Sequence, residues 1–270
     1  MTEQLLMCLP KFYDIKYVIN TWMIDNLYQA NKNLAWDQWA KLYLTLVDII
    51  GADNIRCITG HENLPDMTFA ANAGLVLGKT VILSNFWHLE RRPEKEIFKR
   101  WFKNEGYAIL ELPDHVFFEG EGDALFDDDK RLWVGYGFRS DKKAADIIRG
   151  LGIETHSVSL IDPRFYHLDT CFAPLSKGHL LYYPEAFDKI SQYEIEDQFS
   201  YHPSQLIPVS EEDALNFACN AINLGDYIIV NRISDALREK LEYHGYNVKV
   251  TPVGEFLKAG GGTACLKLKL

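Results

Sequence analysis

Cys265 has the most to offer chemically, because a thiolate is a strong nucleophile wherever its surroundings favour the ionised form. A lone cysteine is as readily a small buried hydrophobe. Gly260-Gly261-Gly262-Thr263-Ala264 stands directly before it, and glycines at the start of a strand permit close backbone approach, with N–H groups free to steady a thiolate. His167 is the second candidate. In Phe165-Tyr166-His167-Leu168-Asp169, period-two alternation puts His167 and Asp169 on one face, so the Asp169 carboxylate is placed to orient or contact the same site as an imidazole; a satisfied core histidine fits the same pattern. Phe117-Phe118-Glu119-Gly120-Glu121-Gly122-Asp123 sets carboxylates at alternating positions between apolar strands, an expensive arrangement unless a cation is bound. Calcium or a guanidinium would serve, and a solvated acidic turn is the plain alternative. An EF-hand is excluded, because its ligand series with a terminal glutamate is absent. Asp66, in Asn63-Leu64-Pro65-Asp66, either caps a turn or meets a ligand. Arg91, Arg92 and Arg139 are either solvated charges or clamps for a substrate carboxylate.

These residues are far apart in the chain, so a repeated framework must bring them together. Pairs of apolar runs flank short turns: residues 73–77 with 80–83, 124–126 with 132–136, 171–175 with 179–183, and 217–222 with 227–230. The turns centre near residues 78, 129, 177 and 224, at intervals of about 51, 48 and 47, which is the spacing of an internal structural repeat. A helical stretch follows each pair, over residues 90–104, 140–151, 184–192 and 234–244. A fifth unit is expected from a terminal strand (264–270) beside an N-terminal one (4–9), with residues 36–50 as its helix. Five such units close a ring, so the expected fold is a five-bladed α/β propeller of pseudo-symmetric ββαβ modules. A doubly wound sheet would not repeat hairpins. Positions just before the first strand of each hairpin, Asn72, the 119–123 segment, His167, Asn216 and Cys265, should then converge on the axis.

The composition bounds what this framework could do. The 270 residues suffice for a sizeable core, and with no linker or composition shift they are expected to form one catalytic domain, residues 1–270. With 47% hydrophobic and 24% charged residues the chain reads as globular rather than disordered. A formal charge of -10 argues against a nucleic-acid partner and suits a small cationic ligand. The N-terminus lacks the basic start and apolar stretch of a signal peptide, and no apolar run is long enough for a membrane span, so a cytoplasmic location is expected. The five cysteines are scattered, with no C-x-x-C pair, and are expected to be reduced thiols without a disulfide framework or zinc site. The acidic stretch 194–202 is a candidate lid.

Together, Pro65-Asp66-Met67-Thr68-Phe69-Ala70-Ala71-Asn72, Phe118-Glu119-Gly120-Glu121-Gly122-Asp123, His167-Leu168-Asp169 and Gly262-Thr263-Ala264-Cys265 resemble, in order and spacing, the guanidino-group-modifying superfamily. That group includes dimethylarginine dimethylaminohydrolases, arginine deiminases, amidinotransferases and arginine dihydrolases. The resemblance covers nearly the whole chain and implies the pentein fold, a five-bladed α/β propeller. It implies Cys265 as nucleophile, His167 as general acid/base, Glu119 as guanidinium-binding carboxylate, Asp66 as a substrate contact and Asp169 as a supporting carboxylate. Arg139 would hold the substrate α-carboxylate. One of Arg91 and Arg92 assists, with Arg92 placed in the substrate-binding set beside Asn20. No cofactor and no metal are implied. The expected partner is a small guanidino substrate, neither nucleic acid nor membrane, with a homo-oligomer left open. Ala71-Asn72 stands where dimethylarginine hydrolases carry a Glu-Asp pair. With Phe12-Tyr13-Asp14 and Asn20-Thr21-Trp22-Met23, it makes the chain look most like the arginine dihydrolases, which take arginine to ornithine, two ammonia and carbon dioxide. The alternatives are a deiminase or dimethylarginine hydrolase that stops at citrulline, and a non-enzymatic arginine-like ligand-binding protein.

Overall fold

A computed structural model of the protein describes residues 3–127 and 130–270, and among these the repeat closes into a ring of five three-stranded sheets. The chain opens with β1 (Leu5–Leu9), α1 (Lys32–Ile50) and β2 (Ile55–Thr59). The second module is β3 (Gly74–Leu77), β4 (Thr80–Leu83), α2 (Glu94–Asn104) and β5 (Ala108–Glu111). The third is β6 (Ala124–Phe126), β7 (Leu132–Tyr136), α3 (Lys142–Arg149) and β8 (Thr155–Ser159). The fourth is β9 (Phe172–Pro174), β10 (Leu180–Tyr182), α4 (Lys189–Gln198) and β11 (Leu206–Pro208). After a short α5 (Glu211–Leu215) the fifth comes next, β12 (Ile222–Leu224), β13 (Tyr227–Val230), α6 (Asp235–Tyr243) and β14 (Asn247–Val250), before α7 (Gly254–Leu257) and β15 (Lys267–Lys269).

In every sheet the first two strands run antiparallel and the third lies parallel to the second, the pattern a hairpin and a helical crossover produce. The first module is completed from the other end of the chain: β15 pairs antiparallel to β1, Leu5 opposite Lys269, while β2 pairs parallel to β1. The ring is therefore locked by its termini, as the sequence repeat requires.

Local signals explain where the elements start and stop. The β3–β4 turn is two residues long, with Gly78 at φ 62°, a left-handed conformation that suits the twist of a tight hairpin. Asn31, Asp188 and Ser234 accept backbone N–H groups at the starts of α1, α4 and α6. On α1 the buried residues Ala35, Trp39, Leu42 and Leu46 share one face, and α2 seats Phe98 and Phe102 under its sheet. Truncating either phenylalanine to alanine is expected to cost about 3–5 kcal/mol, since both are fully buried.

Two elements start five residues later than expected, the largest of the differences in where elements begin. The helix expected over 184–192 begins instead at Lys189, because Pro184–Ala186 forms its own tight turn and Asp188 caps the helix proper. The strand expected over 217–222 begins at Ile222, because Phe217 adopts φ 60° and residues 214–220 coil through successive turns. The turn expected over 127–130 has its middle, Asp128 and Asp129, outside the described residues.

Candidate active site

Just before the first strand of four modules the chain makes a single tight turn, over Ala70–Ala73, Gly120–Gly122, Leu168–Thr170 and Ala264–Leu266. These turns pack against one another at the ring's axis and aim their polar side chains inward. Gly120 shows why one of them needs glycine: its φ is 65°, and a Cβ there would lie 2.8 Å from the backbone of Gly74.

His167 lies at the centre of the cluster, 3% exposed. Its Nε2 is 3.3 Å from Glu119 Oε2 and its Nδ1 is 3.1 Å from Asp123 Oδ1. Burial opposes the imidazolium, yet the two carboxylates outweigh it and raise the His167 pKa to about 9. Asp123 is itself held by Ser140 Oγ at 2.6 Å and by the Leu168 N–H at 3.1 Å. Glu119 is fully buried and also accepts from Arg139 Nη1 at 3.2 Å and from the Trp87 N–H at 3.1 Å. Burial works against its charge, but Arg139, His167 and Arg91 keep Glu119 well below the usual carboxylate range.

Cys265 is 5% exposed. Its Sγ lies 3.2 Å from Asp169 Oδ2 and accepts from Asn220 Nδ2 at 3.1 Å. Burial and the neighbouring Asp169 push the thiol well above its ordinary pKa, so the resting group is a thiol donating to that carboxylate. Burial likewise raises Asp169, to about 6.

Asn72 is clamped from both sides. Its Oδ1 accepts from Arg91 Nη1 at 2.9 Å, and its Nδ2 donates to the Glu119 carbonyl at 2.9 Å while lying 3.5 Å from His167 Nε2. Arg91 is fixed by a two-pronged pair with buried Glu94, both contacts at 2.9 Å. Asp66 accepts from the Tyr17 hydroxyl at 2.9 Å through Oδ2, whereas its buried Oδ1 has no hydrogen-bond partner. Burial raises the Asp66 pKa.

The expected residues Cys265, His167, Glu119, Asn72, Asp66, Asp169 and Arg139 thus come together. Asn20 also lines the cavity, with both side-chain ends in use: Oδ1 caps the turn at Trp22 and Met23, and Nδ2 donates to the Ala259 carbonyl at 3.0 Å. Arg92 does not join them. It is exposed, its guanidinium donates to the carbonyls of Phe86 and Trp87 and lies 5.4 Å from the Phe117 ring, and Arg91 holds the buried place instead. Asn216 is also displaced: its side chain bonds the Glu212 carbonyl at the end of α5, and Asn220 takes the axial position, 45 residues before Cys265. The repeat interval favours Asn216, and only the observed start of β12 marks Asn220, which stands two residues ahead of it as Asn72 and Cys265 stand ahead of β3 and β15. Of the carboxylates in the 119–123 run, Glu119 and Asp123 bracket the His167 ring, while Glu121 pairs with Lys267.

The acidic stretch 194–202 does not line this cavity. Residues 194–198 end α4, where Glu194 meets His156 and Gln198 meets Arg131. The cluster is instead covered by residues 16–29, tied down by Tyr17 on Asp66, the Ile19 carbonyl on Arg139 and Trp22 Nε1 on the Arg164 carbonyl. Beneath this cover only about 10 Å³ is free, close to the space one water needs.

A five-module α/β ring closing on a buried Cys, His and carboxylate set places the protein in the guanidino-modifying superfamily. Residues 19–269 match the family described as N,N dimethylarginine dimethylhydrolase, eukaryotic, and the chain belongs to that family. It is 50% identical over 269 residues to the bifunctional arginine dihydrolase/ornithine cyclodeaminase ArgZ of Synechocystis sp., covering 99% of this chain and 37% of that protein. The chain therefore spans about 37% of the length of that relative. It is 33% identical over 270 residues to the N(G),N(G)-dimethylarginine dimethylaminohydrolase of Mycobacterium tuberculosis, covering 100% of this chain and 86% of that one. Among solved structures it resembles the N-terminal domain of cyanobacterial ArgZ bound to substrate, with a TM-score of 0.95 at 48% identity, covering 99% of this chain and 97% of that one. An asparagine-to-serine variant of that domain has been solved covalently bound to a reaction intermediate.

Proposed function

We propose that this chain, as one catalytic ring over residues 1–270, hydrolyses the guanidine group of arginine or a close analogue through a covalent bond to Cys265, giving ornithine, two ammonia and carbon dioxide. The observation that carries the reading is an unmet acceptor. Asp66 Oδ1 is buried without a donor in the wall of the small cavity that Cys265, His167 and Asn72 also line. A guanidinium supplies planar N–H donors and a positive charge at once.

A guanidinium is always protonated and resonance-stabilised, so its central carbon reacts only when the plane is fixed beside a strong nucleophile. Asp66 and Glu119 hold the plane, and Arg139 turns from Glu119 to the substrate α-carboxylate. The incoming positive charge favours the thiolate, and Asp169 Oδ2, 3.2 Å from Sγ, receives its proton. A C–S bond forms, the His167 imidazolium gives its proton to the departing nitrogen, the C–N bond breaks, and ammonia leaves a thiouronium on Cys265. Neutral His167 then takes a proton from water as its oxygen adds to that carbon, and C–S cleavage yields a citrulline-like product. In a second round the thiolate attacks the ureido carbon and a second ammonia leaves. Water hydrolyses the resulting thiocarbamate to a carbamate, which loses carbon dioxide to leave ornithine.

The second round requires a neutral ureido oxygen to stay bound, and a facing carboxylate would repel it. Asn72 presents its second amide hydrogen there, the first being bonded to the Glu119 carbonyl and its oxygen to Arg91. The similarity to an arginine dihydrolase supports the same reading. A dimethylarginine hydrolase is the second reading, favoured by the family match and opposed by Ala71-Asn72. The proposed partner is a small guanidino compound rather than nucleic acid or membrane, in a cytoplasmic setting; among the described residues no helix is long and apolar enough to cross a membrane.

The deciding experiment incubates the purified protein with arginine, without added metal, beside a Cys265→Ala control, and quantifies ornithine, citrulline and ammonia. Ornithine with two ammonia for each one formed supports the dihydrolase; citrulline alone makes the protein a deiminase. Inactivity on arginine, methylated arginines and other guanidines favours a ligand-binding protein. Asn72→Asp is expected to accumulate citrulline, and a product mixture unchanged from the parent would remove its assigned role.

A further inference from the structure

The Cys265 sulfur lies between two side chains, and only Asn220 can donate to it in every protonation state of the pair. Asp169 Oδ2, at 3.2 Å, accepts from the S–H and repels the sulfur once it ionises. Asn220 Nδ2, at 3.1 Å, can only donate to it. The amide cannot flip easily, because its Oδ1 accepts the Cys265 N–H at 3.2 Å and its Nδ2 also donates to the Asp169 carbonyl at 3.1 Å. The Asn220 backbone is equally fixed: its carbonyl accepts from Thr263 Oγ1 at 2.7 Å and from the Ala264 N–H at 3.3 Å. Gly262 leaves room for the side chain, since a Cβ there would fall 2.7 Å from Asn220 Oδ1. The residue is fully buried, so its donor does not compete with water.

We infer that Asn220 is the thiolate-holding residue of this site: its side-chain amide stabilises the ionised Cys265 sulfur against Asp169 and fixes the direction from which the sulfur attacks. The inference rests on Cys265 being the nucleophile. When the proton passes from Sγ to Asp169, that contact becomes a hydrogen bond from the protonated carboxyl to the sulfur, while the Asn220 contact strengthens because its acceptor has become an anion. A preorganised donor of this kind acts without reorganisation during the reaction. The other titratable groups that act on this pair include Tyr166, towards both, and His167, Asp123, Lys267 and Cys171, towards Asp169.

The test compares the parent with Asn220→Asp and Asn220→Ser. The aspartate keeps the shape and the acceptor for the Cys265 N–H but replaces the donor by an oxygen, and the serine keeps a small donor. Folding is checked by Tm and circular dichroism. Two readouts are taken: alkylation of Cys265 by iodoacetamide, located by mass spectrometry from pH 6 to 10.5, and steady-state kinetics on arginine. For Asn220→Asp the expected results are a labelling curve moved to higher pH by about one unit or more and a kcat lower by roughly 10²–10³-fold with KM within about threefold; Asn220→Ser should recover part of both. A folded Asn220→Asp protein with the parental labelling curve, or with kcat within about threefold of the parent, overturns the inference. Labelling does not depend on turnover. A shifted curve in a protein whose parent turns over no guanidine would therefore uphold Asn220 as the thiolate's partner while rejecting the proposed reaction.

Discussion

The same hairpins build two very different spaces along the axis of the ring. Beneath residues 16–29 the segments that precede the strands crowd together, leaving about 10 Å³ among Asp66, Asn72, Arg139, His167 and Cys265. Along the strands themselves a cavity of about 490 Å³ runs out to the hairpin turns at Gly78 and Gly225, walled by Leu75, Leu125, Ala173 and Leu224 with Lys267 and Lys269. The crowded space is costly to build, because each buried charge needs an opposite charge or a donor: Glu119 has Arg139 and His167, Asp123 has Ser140 and His167, and Glu94 has Arg91. The roomy one holds fewer buried charges. Its ionic groups, Lys267 with Glu121 and Lys269 with Glu3, pair off at its wall. Asp169 borders both, touching Cys265 on one side and lining the larger cavity on the other. The volume of a cavity therefore says less about where chemistry happens than the density of matched buried charges and the few acceptors left unmatched.

The contrast can be broken most sharply at its reacting atom. Cys265→Ala is expected to lower turnover of arginine by roughly 10⁴-fold or more while leaving the melting temperature nearly unchanged, since little volume is lost. Next comes Glu119→Gln, which leaves Arg139 and His167 without their shared counter-charge. About 3–5 kcal/mol of stability and at least a hundredfold in kcat/KM are expected to go, measured by urea unfolding and steady-state kinetics. If Glu119→Gln proved as stable as the parent, the charge matching at this end would not be what holds it together.

A gentler probe is pH. The His167 pKa rises from 6.5 to about 9 in the folded protein, so its ion pairs contribute stability that is complete below about pH 6.5 and lost as pH rises through about 9. The protonated form is also the acid for ammonia departure, so kcat should hold through neutral pH and fall above about 9, which a kcat–pH profile and urea midpoints from pH 6 to 10 would check. A decline already centred near 6.5 would mean that Glu119 and Asp123 do not hold the proton as their distances imply. The smallest effect is expected outside the cluster. Arg92→Lys should change KM for arginine by less than about twofold, whereas Arg91→Lys, which loses the two-pronged grip on Glu94 and the bond to Asn72, should raise KM or lower kcat by tenfold or more. Equal effects of the two would restore Arg92 to the site.

How much of this was legible varied with the kind of signal. The ring could be read because alternating apolar runs around Gly78 and Gly225, repeated at one interval, have few other ways to bury themselves. Helix starts were less exact where a proline turn intervened, as before α4. Asn220 was missed because Phe217 takes a left-handed backbone conformation that no local propensity announces, and the five residues 217–221 of apparent strand precede β12 instead. Arg91 and Arg92 are neighbours of identical type, so only the direction of each side chain off the turn into α2 could separate them. The cover over residues 16–29 carries no charge pattern that marks it as one; its hold comes from bonds to Asp66, Arg139 and Arg164, remote in the chain.

By itself the sequence determined the five-module ring, the meeting of the chain's two ends, and a thiol, an imidazole and carboxylates placed to face a common axis. These come from periodicity and from residue type, which are properties of the chain. The tertiary structure decided which of two arginines is buried, which asparagine touches the sulfur, which segment covers the site, and the proton states in which Cys265 and His167 wait. Those depend on distances of about 3 Å between residues 45 to 96 positions apart, and on the loss of water around them, which no stretch of sequence contains.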